Sequence, residues 1–246
     1  MKSICKSGIV FLCLAAAAFF AAAHKENRPY VQTEKENRQL QDLVIEQTGK
    51  EETENSCEKE IDFEALRQIN PDICGWISIP GTAINYPVLI GESDEEYLKK
   101  DFKGEYSSLG SVFAFSDTAK DFSDVHNCFF AHNMKKPQMF GELKKYKNPQ
   151  FAKEHSELYL YTPEGEERYL AFSAFECKKQ DEIFAHKMER GSVEFEQLLA
   201  NLIYRSMWGG EPEGLDGQWG KVLTLSTCSE YDRTNKRMTV HFVKIE

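Results

Sequence analysis

The 246-residue sequence has no excess of basic residues: 30 Lys and Arg stand against 40 Asp and Glu, for a net charge of −10. It also has no long block of Lys or Arg. Because an acidic chain repels a phosphate backbone, we predict that nucleic acid is not a partner. No HExxH motif and no cluster of His and Asp ligands is present, so we predict neither a metal hydrolase nor a metal site.

The seven cysteines form no CxxC pair, and their irregular spacing indicates neither a disulfide framework nor a zinc site. Two of them lie in or beside an apolar N-terminal segment, which leaves Cys57, Cys74, Cys128, Cys177 and Cys228. This number is odd, so at least one thiol stays unpaired if the others bridge within the chain. In an exported protein, such a thiol is a candidate nucleophile.

A long apolar run is missing as well. Residues 8–23 carry no charge and follow a basic start, but these 16 residues fall short of the ~20 that span a bilayer comfortably. We predict that residues 1–23 are a secretory signal peptide or a short membrane anchor, and the pattern leaves that choice open. Residues 24–60 are polar, which predicts a stalk, partly helical at 34–48, that carries a folded domain at 61–246 outside the cell membrane.

The folded domain consists of short apolar runs separated by turn signals, without an internal repeat. Alternation at 84–90 and a hairpin around residues 163–165 predict β-strands. Residues 192–206 predict one clear amphipathic helix, because its apolar residues fall on one stripe: Phe195, Leu198, Leu199, Leu202 and Ile203. We therefore predict a mainly β domain, a small and mostly antiparallel barrel, with this helix inserted between late strands.

The last two predicted strands, Val222–Cys228 and residues 237–243, both alternate between apolar and polar positions. If they pair as a hairpin with their apolar faces on one core, Cys228 and Arg237 lie together on the opposite face. A cation there favours the reactive thiolate and can stabilise an oxyanion. Two alternatives stay open: Arg237 can be a solvated strand residue and Cys228 a small packed one, and Arg233 in the intervening loop is a rival cation.

Acyl transfer from a cysteine also needs a proton donor for the leaving amine. Of the six histidines, His241 lies four residues from Arg237, ~13 Å along an extended strand, which is too far for direct transfer to a group beside Arg237. His126 and His132 flank a short apolar run, at strand ends where catalytic groups are common. The residues alone favour His132 only slightly over His126.

Several motifs in order resemble the class B sortases, the cysteine transpeptidases of Gram-positive bacteria. The resemblance covers about residues 62–246 and is carried by these segments: TLSTC at 224–228 followed by Arg237, NPD at 70–72, GWISIPGT at 75–82, INYPV at 84–88, YL at 97–98 with DF at 101–102, GSVF at 110–113, and HNM at 132–134 with MFG at 139–141.

This resemblance implies an eight-stranded sortase barrel with a long helix before the cysteine strand. It implies that Cys228, His132 and Arg237 are the catalytic residues, and it prefers His132 to His126. Asn85, Leu89, Ser226 and Thr227 are implied to line the groove for the substrate. The implied partners are surface proteins with a C-terminal sorting signal of the NPxT type and an amine acceptor of the cell-wall precursor or of a pilin. No metal or organic cofactor is implied.

The chain departs from the family pattern at two places. Ala131 stands before the histidine, where the family usually has Gly, and Ser229 rather than an acidic residue follows the cysteine. A left-handed backbone at position 131 would be strained by Ala.

From the resemblance, we predict a cysteine transpeptidase that cleaves the signal after Thr through a thioacyl intermediate. The alternatives are a cysteine protease that passes the acyl group to water, and a tethered peptide-binding domain without turnover.

Overall fold

The computed structural model describes residues 16, 19–21, 27, 28, 30–41, 61–134, 137–208, 219–228 and 235–245, with Cys228 described by its backbone. The chain divides into two compact units, residues 1–40 and 41–246. In the first unit, residues 30–40 are helical. Most of the predicted signal or anchor at 1–23, and residues 42–60 of the predicted stalk, lie outside the described residues. Within the described part, no helix has the length and apolar character needed to cross a bilayer.

The second unit is a closed barrel of eight strands. The strands are β1 (Ile73–Ser78), β2 (Asn85–Leu89), β3 (Val112–Ala114), β4 (His126–His132), β5 (Glu157–Thr162), β6 (Gly165–Lys178), β7 (Val222–Cys228) and β8 (Lys236–Lys244). Their order around the barrel is β1-β2-β3-β4-β7-β8-β6-β5. The β2/β3 and β4/β7 pairs are parallel, and the other recorded pairs are antiparallel. The predicted eight-stranded barrel is confirmed.

Among the described residues of this unit, three α-helices accompany the barrel: α1 (Phe63–Ile69), α2 (Pro149–Glu154) and α3 (Val193–Tyr204). The Ser192 side chain caps α3 by accepting a hydrogen bond from the Phe195 amide at 3.2 Å. The buried stripe of α3 packs in one cluster with Phe172 and Phe175 of β6 and with Val222 and Val243. The helix predicted before the cysteine strand is therefore confirmed, and its apolar stripe covers the outside of the barrel.

Both faces of the β7/β8 hairpin are buried. Leu223, Leu225, Val240 and Phe242 form the face turned to the barrel interior, and each is 0 % exposed. Thr224 and His241, on the face that the sequence pattern left outside the core, are 0 % exposed as well. This face is buried by tertiary contacts, because α3 and the segment between β6 and α3 pack over it.

The parallel pairing of β4 and β7 decides where the predicted site residues meet. The two strands are in register from His126↔Val222 to His132↔Cys228, so both end at the same edge of the barrel. Ala131 lies inside β4, paired with Thr227, and it is not among the described residues with a positive φ. The strain that a left-handed backbone would impose on this alanine is therefore absent.

Candidate active site

His132 and Cys228 are neighbours at the ends of two parallel strands. They form the last pair of the β4/β7 ladder, and their strands lie ~4.8 Å apart. His126 pairs with Val222 at the other end of the ladder, six residues or ~20 Å away along the strand. The structure therefore brings His132, and not His126, beside the backbone of Cys228.

Arg237 lies on the strand that flanks Cys228 on its other side. The β7/β8 ladder is recorded as far as Ser226↔Thr239, and the same register two residues further sets Cys228 opposite Arg237. The Arg237 side chain is 9 % exposed and donates a long hydrogen bond, 3.5 Å, to the Thr227 carbonyl. Because that carbonyl belongs to β7, the guanidinium extends across the cysteine strand. The rival Arg233 lies outside the described residues, as does Ser229.

Two aromatic rings hold the guanidinium of Arg237. Its central carbon lies 5.7 Å from the ring centre of Phe130 on β4 and 5.9 Å from that of Phe184 in the short 3-10 helix Glu182–Phe184. The two rings contact each other, with centres 5.6 Å apart. A planar guanidinium is attracted to aromatic faces within about 6 Å. These two phenylalanines, which sequence reasoning missed, limit the positions that the Arg237 side chain can adopt.

His132 is held by a backbone carbonyl. Its Nε2 lies 2.7 Å from the carbonyl oxygen of Leu98, at the end of the 3-10 helix Glu96–Leu98, and the residue is only 4 % exposed. No sequence signal identifies a main-chain carbonyl as a partner. Two family-like segments did include the residues involved, Leu98 itself and Gly110, which packs against this carbonyl.

The residues predicted to line a substrate groove are mostly buried. Leu89, Ser226 and Thr227 are at most 1 % exposed. The ladders connect Leu89 through Phe113 and Phe130 to Ser226, so these four residues form one row across the face that carries His132. In this conformation Leu89 and Ser226 can shape the floor of a groove only from below, and the small exposed surface of the row belongs to Phe113 and Phe130.

Thr227 and Asn85, which were also predicted to line the groove, make side-chain hydrogen bonds within the fold. Thr227 Oγ1 accepts a hydrogen bond from the Met238 amide at 2.9 Å, which joins β7 to β8 beside the site. Asn85 is half-buried at the start of β2, and its Oδ1 accepts a hydrogen bond from the Trp76 indole at 2.7 Å.

A chain of buried polar groups runs along the outer face, away from the barrel edge that carries His132. His126 Nδ1 donates to the Ala185 carbonyl at 2.7 Å, and its Nε2 lies 2.7 Å from Thr224 Oγ1. Thr224 Oγ1 is 2.9 Å from His241 Nδ1, and His241 Nε2 is 3.1 Å from Thr239 Oγ1. Burial lowers the pKa of His126 to about 4 and holds that of His241 well below its usual range. Both histidines are therefore structural.

The remaining described thiols are buried and free. Cys74, Cys128 and Cys177 form no disulfide among the described residues. Burial raises the pKa of each thiol, to about 12 for Cys177. None of these three supplies a thiolate at neutral pH, because the thiolate is the form that desolvation disfavours. Across the described residues, no group of three or more His, Cys, Asp or Glu is arranged to hold a metal ion.

Comparison with known proteins gives a consistent family. The sortase domain family matches residues 77–244. Sortase B of Staphylococcus aureus is 31% identical over 181 residues, 72% of each chain. Sortase B of Listeria monocytogenes is 27% identical over 176 residues, 71% of this chain and 70% of its own.

Solved structures agree. A Staphylococcus aureus sortase B–substrate complex superposes with a TM-score of 0.73 at 25% identity, over 90% of this chain and 98% of that one. Clostridium perfringens sortase B superposes with a TM-score of 0.68 at 28% identity, over 75% of this chain and 100% of that one. With its closed eight-stranded barrel and its cysteine strand paired to a histidine strand, the chain therefore belongs to the sortase family of cysteine transpeptidases, which anchor surface proteins at the cell envelope.

Proposed function

We propose that Cys228 is the nucleophile, His132 the acid and base, and Arg237 the oxyanion stabiliser of a transpeptidation at a sorting signal of the NPxT type. The Cys228 thiolate attacks the carbonyl carbon of the signal's Thr, and the carbonyl electrons move to oxygen. Arg237 stabilises that oxyanion. His132, as imidazolium, gives its proton to the departing amine, and a thioester remains on Cys228. An incoming amine gives a proton to His132 and attacks the thioester, which restores the thiolate.

One observation carries this proposal: the β4/β7 register that pairs His132 with Cys228 and, continued into β8, faces Cys228 with Arg237. In this mechanism a nucleophile, a proton-transfer group and an oxyanion donor must reach one carbonyl, and the position of these three residues on adjacent strands supports that role. The other described thiols support the same assignment by exclusion, because burial keeps them protonated. The rings of Phe130 and Phe184 support it too, since they direct the Arg237 guanidinium toward β7.

The signal lies, in this proposal, over the row formed by Leu89, Phe113, Phe130 and Ser226, with Asn85 at the start of β2. Because the Asn85 Oδ1 accepts the Trp76 indole N–H, its amide N–H₂ is the group turned to substrate recognition. Thr227 acts indirectly, by holding β7 to β8 beside the nucleophile. The acceptor is an amine of the cell-wall precursor or of a pilin subunit.

The test uses the purified full chain, a quenched NPxT peptide and a panel of amines, beside the Cys228→Ala variant. We expect cleavage after Thr that requires Cys228, and a product in which the acyl part is joined to an amine. Cys177→Ala is the matched control, because it removes a thiol on the neighbouring part of β6 and should leave turnover intact. Cleavage in the Cys228→Ala variant would refute the assignment of the nucleophile.

Two other outcomes point to the alternative functions. Cleavage that depends on Cys228 but gives only the free acid, with every amine tested, would indicate a cysteine protease. A folded protein that binds the peptide, does not cleave it and forms no adduct with a thiol-directed electrophile would indicate a peptide-binding domain without turnover.

We further propose that residues 1–23 direct the protein across the cell membrane, so that the barrel acts on the extracytoplasmic side. The support is the basic start and the uncharged segment at 8–23. Fractionation of cells that express the full chain would separate the two forms of this proposal. Protein in the membrane fraction indicates an anchor, and a shortened protein in the medium indicates a cleaved signal; full-length protein in the cytoplasm would refute both.

A further inference from the structure

The Leu98 carbonyl fixes the position of one proton on His132. A carbonyl oxygen can only accept a hydrogen bond, so the 2.7 Å contact requires a hydrogen on Nε2 of the ring. A neutral imidazole carries one hydrogen, which leaves Nδ1 with its lone pair. When the ring is protonated, the second hydrogen therefore lies on Nδ1.

The residue before Leu98 is fixed by hydrogen bonds, which limits the movement of the Leu98 carbonyl. Tyr97, its neighbour in the 3-10 helix, is 2 % exposed, donates to Asp72 Oδ2 at 2.7 Å and accepts from Asn70 Nδ2 at 2.8 Å. The Tyr97 carbonyl accepts the Ser111 amide at 3.0 Å. Bonds at the side chain and at the main chain of Tyr97 thus fix the peptide that precedes the Leu98 carbonyl.

Gly110 packs closely against both the Leu98 carbonyl and the His132 ring. Its φ is +60°, and a Cβ added there would lie 2.7 Å from the Tyr97 oxygen, 2.8 Å from the Leu98 oxygen and 3.1 Å from His132 Cδ2. Two of these three atoms belong to the backbone, so a side chain at position 110 could be admitted only if the carbonyl or the imidazole moved. The position is therefore packed directly against the imidazole and its carbonyl partner.

We propose that the Leu98 carbonyl, seated against Gly110, is a positioning device that keeps His132 in the Nε2–H form, so that Nδ1 is the atom that gives and takes the proton. What that proton is used for rests on the proposed function. In the first step the Nδ1–H bond breaks, the proton joins the departing amine, and the electron pair stays on Nδ1. In the second step that pair takes a proton from the incoming amine. Nε2 keeps its hydrogen throughout, so no exchange of tautomers is needed between the two steps.

The first arm of the test needs no turnover. The full chain is labelled with ¹⁵N-histidine, and the His132 signals are identified by their loss in His132→Gln. We expect a neutral ring with hydrogen on Nε2, an unprotonated Nδ1, and slow exchange of the Nε2 hydrogen with water. A neutral ring with hydrogen on Nδ1, or a rapidly exchanging Nε2 hydrogen, would overturn the proposal whether or not the protein cleaves peptide.

The second arm compares Gly110→Ala with Gly104→Ala. Both positions have left-handed backbone, with φ of +60° and +84°, so an alanine strains both. At Gly104 the nearest atom to the added Cβ is Asn70 Nδ2, at an ordinary 3.9 Å. The control therefore reproduces the backbone strain without disturbing the contact between Leu98 and His132.

We expect Gly110→Ala to lower kcat by ~10²-fold with little change in KM, as for a misplaced catalytic group, and to speed exchange of the Nε2 hydrogen. Gly104→Ala should keep both properties. Wild-type kcat and slow exchange in folded Gly110→Ala would overturn the proposal, as would equal losses in both variants. If Gly110→Ala does not fold, the wild-type NMR result decides. Absence of Cys228-dependent cleavage in the wild type would instead refute the proposed function and leave the NMR arm valid.

Discussion

Acidification from pH 7.5 to pH 5 should destabilise the barrel, because two buried histidines must stay neutral. His126 and His241 are 0 % exposed and belong to one hydrogen-bonded chain across β4, β7 and β8. Desolvation is the main cause of the lowered pKa of both rings; electrostatic interaction with His186 lowers the pKa of His126 further, and interaction with His126 and Arg205 lowers that of His241. The unfolded chain has no such penalty, so it binds protons at a higher pH than the folded chain.

The sign and size follow from the His126 pKa, about 4 in the folded chain against 6.5 for the unperturbed group. Between these values the unfolded state holds more protons than the folded state. The contribution of neutral His126 to the free energy of unfolding is therefore fully present above pH 6.5 and decreases as the pH falls toward 4. At pH 5 the loss from this one histidine is about 2 kcal/mol, and it approaches about 3.4 kcal/mol well below pH 4. His241 contributes with the same sign.

The assay is urea unfolding of the full chain at pH 7.5 and pH 5.0. His126→Gln is the informative variant, because a Gln amide can donate to the Ala185 carbonyl and accept from Thr224 without titrating. We expect the wild type to lose about 2 kcal/mol or more between the two pH values, and the variant to lose about 2 kcal/mol less. Carboxylates paired with cations, such as Asp181 with Arg205, have a lowered pKa and titrate below this interval.

Equal pH dependence in wild type and variant would refute this reasoning, and the number of hydrogens in the hydrogen-bond chain would then give the physical cause. Its five contacts, from the Ala185 carbonyl to the Phe175 carbonyl, each need one hydrogen. Two neutral imidazoles and two threonine hydroxyls supply four. One added proton would complete the fifth contact, so a flat profile would mean that this hydrogen bond offsets desolvation.

Three further predictions concern turnover. Activity should rise and then fall with pH, since the proposed reaction needs a Cys228 thiolate together with a His132 imidazolium; a profile that only rises to high pH would argue against His132 as the acid. Arg237→Ala should lower kcat by ~10²–10³-fold, and Arg237→Lys should restore only part of it because a point charge cannot replace the planar fork; near-normal turnover in Arg237→Ala would move the role to Arg233. Phe184→Leu should lower kcat more than it raises KM by loosening the guanidinium of Arg237, and Arg237→Ala should be insensitive to the same change; additive losses in the double variant would contradict this.

Local pattern was sufficient for several parts of the site. Period-two alternation in β7 and β8 predicted a shared face for Cys228 and Arg237, and the observed register agrees with that face. The apolar stripe predicted α3. These features depend on residues close in sequence, and the resemblance to sortases added the closed barrel, which pattern alone suggested only in outline.

Other parts of the site depend on contacts between distant segments. The residues alone scarcely separated His132 from His126, because both flank the same strand; the parallel ladder to β7 sets only His132 beside Cys228. The outer face of the hairpin read as polar, yet α3 and the β6–α3 chain bury it. The contacts of the Phe130 and Phe184 rings with the Arg237 guanidinium likewise join segments more than fifty residues apart.

The sequence by itself determined which residues can do chemistry here and which face of each strand they occupy, because side-chain alternation is a property of the extended chain. Only the tertiary structure decided which of these residues meet. The Leu98 carbonyl is one of many identical backbone groups, and it becomes the partner of His132 because barrel closure brings Glu96–Leu98 against the end of β4. Similarly, the low pKa of His126 is a consequence of the desolvation that packing imposes.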